Sequence, residues 1–272
     1  MVRSLWTGAT GMLAQQTSLD NIANNLANVN TTGYKAQTIE FKSLLYQNLQ
    51  TRTTSANGET KPGSAQVGLG VRNSSINTVF TQGALLASEL ETSFAIDGKG
   101  FFATRGADGN TYYTRNGNFQ WTTAANGGNM LATTDGTPIL DTSGNPIILN
   151  SSYSISSVRI DKDGTILYPD TQNNLQSLGI RVGLWQFNNA NGLYREGDSL
   201  YSVTAASGVP INEATANGIE KSRVIQGYLE GSNVQIADEM VNMITTQRAY
   251  ELNSKVITTS DTMLDQANNL RR

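Results

Sequence analysis

Residues 3–29 read RSLWTGATGMLAQQTSLDNIANNLANV, and residues 236–264 read IADEMVNMITTQRAYELNSKVITTSDTML. In the first stretch Leu5, Met12, Leu19 and Leu26 recur every seven residues, with Ala9, Ile22 and Ala23 widening the stripe. In the second, Ile236, Met243, Tyr250, Ile257 and Leu264 repeat the period, broadened by Met240 and Ile244. Apolar residues at this spacing are the mark of an amphipathic helix. A seven-residue repeat sustained at both ends predicts two helices wound on each other as a coiled coil. At 1.5 Å per residue they are roughly 40 Å and 50 Å long.

The same stretches predict weakness. Gln247, Ser254 and Asp261 stand at the second heptad positions, where a stable coil wants leucine. Gly8, Gly11, Asn21, Asn24, Asn25 and Asn28 each cost the first helix several tenths to about 1 kcal/mol relative to alanine. The expectation is that the ends are disordered in a free monomer and order when buried in an assembly. The plain alternative is a helical hairpin capping the domain.

Between the ends the pattern changes to β. Asp97-Gly98, Asp108-Gly109, Asn116-Gly117, Asn126-Gly127, Asp135-Gly136, Asp163-Gly164 and Asn191-Gly192 separate short apolar runs such as Phe101-Phe102-Ala103 and Ile147-Ile148-Leu149. Such dipeptides are the best short-range hairpin signal. The fold class expected is α+β and mostly β: paired terminal helices at 1–33 and 228–272, an extended arm at 34–75, and an antiparallel β domain at 76–227. Within the arm, residues 47–63 are polar and aperiodic.

Composition removes most chemistry. The chain of 272 residues has neither cysteine nor histidine. That excludes a disulfide framework, a thiolate nucleophile, a zinc site of the usual kind and a histidine general base. With 19 basic and 22 acidic residues and no basic cluster, no nucleic-acid partner is expected. No apolar run approaches the roughly 20 residues that cross a bilayer, so membrane insertion is not expected. Gly8, Thr10, Gln15 and Gln16 interrupt the stretch that a cleaved leader would need.

Two local patterns offer weak ligand signals. Asp161-Lys-Asp163-Gly164-Thr165 shares the start of a calcium loop but lacks its closing glutamate, so a hairpin turn is the better reading. Gly68-Leu-Gly70 has no third glycine for a dinucleotide loop and reads as a bend. No cofactor or metal is expected, and no catalytic residue. A glycoside hydrolase built on two of the carboxylates is the alternative from another class.

Three passages in order resemble the bacterial flagellar rod and hook axial family. They are Leu19-Asp-Asn-Ile-Ala-Asn-Asn-Leu-Ala-Asn-Val-Asn-Thr-Thr-Gly33-Tyr-Lys35; Ala95-Ile-Asp-Gly-Lys-Gly-Phe-Phe102 with Tyr113-Thr-Arg-Asn-Gly-Asn-Phe119; and Gly227-Tyr-Leu-Glu-Gly-Ser-Asn-Val234 leading into Glu239–Lys255. The length, the opening Arg3-Ser-Leu-Trp6, the run Phe41–Gln47 and the arm that follows it are similar to the distal rod type. A hook or proximal-rod paralogue is the alternative.

The resemblance implies a structural subunit that polymerises helically into a hollow drive shaft carrying torque from motor to hook. It also implies terminal helices pairing in an inner tube with β domains outside. The implied partners are copies of itself, neighbouring proximal rod and hook subunits, the surrounding bushing rings, and the type III export apparatus. The implied location is the periplasm-spanning rod of the basal body, reached without a cleaved signal. In this reading the leucine stripe faces the C-terminal helix, Asn21, Asn24, Asn25 and Asn28 face neighbouring subunits and set register, and Gly33 belongs to the family motif. Tyr46, Gln47 and Pro62 mark a rod-specific arm that stiffens the shaft.

Overall fold

The structure is a computed structural model that describes residues 2–50, 65–124, 127–170, 172 and 174–270. It divides into two compact units. The first comprises residues 1–27, 37–77 and 235–272, and the second residues 28–36 and 78–234.

In the first unit α1 (Val2–Ala27) packs against α2 (Ile236–Asn269). The pairing is antiparallel: Ser4 meets Ser260 near one end and Asn25 meets Glu239 near the other. Strand Gln37–Ser43 pairs with Val71–Thr78, and Tyr46–Gln50 pairs antiparallel with Ala65–Gly68. The described part of the arm is therefore a two-stranded ribbon rather than structureless chain. Gly70 has a φ of +113° and lies where a Cβ would strike the Thr10 hydroxyl, which accounts for glycine at this bend.

The second unit is antiparallel β. Its largest sheet has six strands, in the order Tyr194–Gly197, Leu200–Ser202, Thr111–Thr114, Phe101–Arg105, Leu184–Gln186 and Ile211–Asn212. Two three-stranded sheets and two strand pairs complete it. Alternation along Phe101–Arg105 divides its side chains between two cores. Phe102 joins Phe94, Phe119, Leu131, Ile139 and Ile166 in one, while Phe101 and Ala103 join Tyr113, Leu140 and Tyr201 in the other. Phe102 and Phe119 meet edge to face at 5.0 Å, a favoured ring geometry.

The glycine dipeptides behave unequally. Gly109 and Gly164, at φ +80° and +79°, turn hairpins, each closed by an N–H bond back across the turn. Asp161–Thr165 is accordingly the turn of a hairpin. Asp97-Gly98, Asn116-Gly117 and Asn191-Gly192 do not join paired strands. Gly117 is there because a Cβ would collide with the carbonyl oxygen of Phe94, and Gly192 ends a 3-10 turn at Ala190–Gly192. Close backbone approach and φ freedom leave the same glycine in a sequence.

The boundary at residue 228 moves. Tyr228–Glu230 is a strand paired with Leu85–Ala87, and the helix starts only at Ile236. Residues 28–36 likewise belong with the β unit.

Tyr113 gives this unit a pH signature. Its ring meets Phe187 edge to face at 4.9 Å, and burial pushes its phenol up to about 12 from an ordinary 10.0. Below pH 10 the group is protonated in folded and unfolded chains alike. Between 10 and 12 only the unfolded tyrosine ionises, so stability falls as pH rises through that window. The expected loss is about 2 kcal/mol. Tyr113→Phe should flatten the curve, read from urea midpoints at a series of alkaline pH values; an unchanged slope would sink the assignment.

Candidate functional site: the helix seam and a buried ion cluster

The seam between α1 and α2 is small and polar. On α1 the most buried line is Gly8, Gly11, Ala14, Ser18, Asn21 and Asn25, joined by Ile22. Leu5, Met12, Leu19 and Leu26 lie only half-buried along it. A Cβ on Gly8 would stand 2.9 Å from Ile257 Cγ1, and one on Gly11 2.9 Å from Asn253 Nδ2. Helices that approach so closely leave no room for leucine between their backbones.

On α2, Met243, Ile257 and Leu264 are half-buried, whereas Ile236 and Tyr250 are exposed. The alternate inward positions are Glu239, Thr246, Asn253 and Ser260, one residue before the Gln247, Ser254 and Asp261 series; Gln247 and Asp261 face outward. A heptad permits a step of three or four from its first apolar position. Here the step of three wins because small polar groups fit opposite glycine and serine, as the Ser4–Ser260 hydroxyl contact at 3.0 Å shows.

The asparagines divide. Asn25, almost wholly buried, donates from Nδ2 to the Gln37 carbonyl at 2.8 Å and to Glu239 Oε1 at 3.1 Å, while its Oδ1 accepts the Gln37 N–H at 2.9 Å. Asn21 donates to the same carbonyl at 2.8 Å. These two clasp their own chain rather than facing a neighbouring subunit, because Gln37 is where the chain begins its first strand and needs both backbone groups satisfied. Burial raises the Glu239 carboxyl pKa, with the Asn25 bond opposing and Asp238 adding to the rise. Asn24 is exposed, and Asn28 accepts from Thr31 in a turn. Tyr46 and Gln47 are exposed on their strand, and Pro62 lies outside the described residues.

A second assembly of residues, inside the β unit, escapes sequence reasoning. Lys35 Nζ donates to Glu230 Oε1 at 2.5 Å and to the Thr81 carbonyl at 2.8 Å. Arg115 Nη1 reaches Glu230 Oε2 at 3.3 Å, and its Nη2 donates to the Gly98 carbonyl at 2.7 Å. Lys35 and Glu230 have no exposed side-chain surface and Arg115 almost none. Burial lowers both cations' pKa values, opposed by attraction to Glu230. Gly33, at φ +69°, donates its N–H to the Glu230 carbonyl at 2.8 Å. Arg195 donates to the Lys35 carbonyl at 2.8 Å and lies over the rings of Tyr34 and Tyr201. Each of the three quoted passages contributes one charge to this cluster. In the sequence each is a charge within two residues of a glycine, and nothing there says that they meet.

Three family models match the chain in order: "Flagella basal body rod protein" over residues 5–35, "Flagellar hook protein FlgE/F/G D1 domain" over 95–168, and "Flagellar basal body rod FlgEFG protein C-terminal" over 225–270. The flagellar basal-body rod protein FlgG of Borreliella burgdorferi is 42% identical over 100% of both chains. The chain belongs to the flagellar rod and hook axial family. The FlgG of Buchnera aphidicola is 41% identical over 99% of this chain and 100% of its own. A flagellar hook-basal body complex protein of Bacillus subtilis, FlhP, is 34% identical over 100% of both. Membership makes the protein a structural subunit of the flagellar rod in the basal body, and not an enzyme. Each of the three matched segments holds one residue of the ion cluster: Lys35 closes the first, Arg115 lies in the second and Glu230 in the third.

Proposed function

We propose that the chain polymerises helically through its terminal helices, which pair as a coiled coil, into the distal rod: a hollow shaft carrying torque from motor to hook. One observation supports this most: the helix pair spends its small and polar residues on its seam and leaves large apolar ones outside. Trp6 and Leu13 on α1, and Val241, Ile244, Leu252, Val256 and Met263 on α2, are all about half-exposed or more. Covering each in a neighbouring copy contributes on the order of 1 kcal/mol. A head-to-tail contact of this kind does not close, so one type of subunit generates a filament.

In this reading the Tyr46–Gln50 ribbon and the segment after it, with Pro62, wedge between successive subunits and stiffen the shaft. The ends of the polymer meet proximal rod and hook subunits, its surface runs within the bushing rings, and the chain reaches the rod through the type III apparatus.

The test uses Gly8→Leu. Alanine at this position gains about 1 kcal/mol of helix propensity, comparable with the cost of one added carbon. Leucine overfills the seam by about 1–3 kcal/mol. The wild-type protein should gain helix by circular dichroism on polymerising. The variant should stay unpolymerised at the same concentration, with the thermal transition of its β unit unmoved. Polymers of Gly8→Leu with wild-type helix content would overturn the proposal.

A further inference from the structure

The described residues contain three Asn-Gly pairs: Asn116-Gly117, Asn191-Gly192 and Asn217-Gly218. Such a pair is chemically labile when the glycine nitrogen can reach the asparagine side chain, since glycine has no Cβ to obstruct the approach. In two of the pairs the fold prevents it. Asn116 Oδ1 accepts from the Thr32 hydroxyl at 2.9 Å and from the Asn118 N–H at 3.1 Å. Gly117 is itself buried, and Phe94 O occupies the place of its missing Cβ. At the second pair, the Gly192 N–H is already donated to the Asn189 carbonyl at 3.1 Å, and the Ala206 carbonyl carbon and Ser207 nitrogen would stand only 2.5 Å from a Cβ at that glycine.

The third pair is open. Asn217 and Gly218 are both exposed. Gly218 has a φ of +87° with nothing within 4 Å of its Cβ position. Neither the Asn217 carboxamide nor the Gly218 N–H has a hydrogen-bond partner among the described residues. The loop that carries them is pinned at both ends instead. Ser222 donates from its N–H and its hydroxyl to the buried carboxylate of Glu213, at 2.7 and 2.8 Å. Gln186 Nε2 bonds Glu213 Oε1 at 2.8 Å and the Glu220 carbonyl at 2.7 Å. None of these anchoring bonds reaches residues 217–219.

We propose that Asn217 is a site of spontaneous deamidation in the folded protein, ahead of the other two pairs. The Gly218 nitrogen, losing its proton to hydroxide or water, attacks Asn217 Cγ. The carboxamide nitrogen leaves as ammonia, and a five-membered succinimide remains. Water then opens the ring at either carbonyl, giving aspartate or isoaspartate at 217. No oxidant, reductant or further reactant takes part. The change has somewhere to act. The same loop supplies Glu220 and Lys221 to a cleft completed by Asp97, Lys99 and Arg223. Deamidation adds a negative charge three residues from Glu220, and the isoaspartate form inserts one extra carbon into a loop whose ends are pinned.

The experiment ages purified full-length protein in mildly alkaline buffer, natively and in urea, and maps it by protease digestion and mass spectrometry, with enzymatic methylation to report isoaspartate. Asn217→Gln identifies the signal from this site. In the native protein, conversion at Asn217 should exceed that at Asn116 and Asn191 by about fivefold or more, because each of those must first surrender a hydrogen bond. In urea the three rates should draw together. Native conversion at Asn217 no faster than at either other pair would overturn the proposal. So would an advantage of Asn217 that persists unchanged in urea, since sequence and not fold would then set the order.

Discussion

Glu230→Ala should cost the β unit about 3–5 kcal/mol, the range for removing one partner of a buried ion pair. The size of the effect follows from what remains. Among the described residues Glu230 is the anion that pairs with both buried cations, so its removal takes away their shared counter-charge and leaves Lys35 and Arg115 repelling each other. It also strips the Gly83 N–H of the acceptor it meets at 3.0 Å. Lys35→Met should cost less, because Glu230 and Arg115 then remain as a neutral pair. Urea unfolding followed by tryptophan fluorescence measures both. A loss for Glu230→Ala below about 1 kcal/mol is the size of an exposed ion pair, and would show that water solvates the cluster. Equal losses for the two variants would refute the charge argument.

Gly33→Ala should be nearly as damaging. A left-handed conformation costs a non-glycine residue roughly 1–2 kcal/mol. The new methyl would also stand 2.5 Å from the Asn116 nitrogen and 2.7 Å from the Arg115 carbonyl carbon. Those are backbone atoms of the turn that carries Arg115, so no side chain can swing aside, and overpacking of this kind adds about 1–3 kcal/mol. The expected total is about 2–5 kcal/mol. Gly136→Ala is the control. Its φ is +80° with nothing within 4 Å of the Cβ position, so it bears the conformational cost alone. If the two variants unfold at the same urea concentration, the close approach at Gly33 contributes nothing.

Much of the architecture was legible in the residues. A seven-residue apolar period at each end, and alternation between glycine turns in the middle, are local signals, and they yielded two helices flanking an antiparallel β unit. What failed was finer. The period marked the side of each helix but not its innermost line, because leucine is apolar wherever it lies beside a seam, and only the partner's shape decides whether glycine or leucine comes closest. Thus Ile257 lies against Gly8, Asn253 against Gly11 and Glu239 against Asn25, while Leu5, Met12, Leu19 and Leu26 are only half-buried. Three of the glycine dipeptides misled for a related reason: Gly98, Gly117 and Gly192 serve φ or close packing without turning a hairpin.

By itself, then, the sequence carried the family, in three ordered passages, and with the family a structural subunit rather than an enzyme. Absent histidine and cysteine only narrow the chemistry that the chain could support. Only the tertiary structure decided what those passages are for within the subunit. Lys35, Arg115 and Glu230 are far apart along the chain, and a charge in a sequence looks the same whether it faces water or another charge. Folding removes the water from all three, and from that point each ion needs the others.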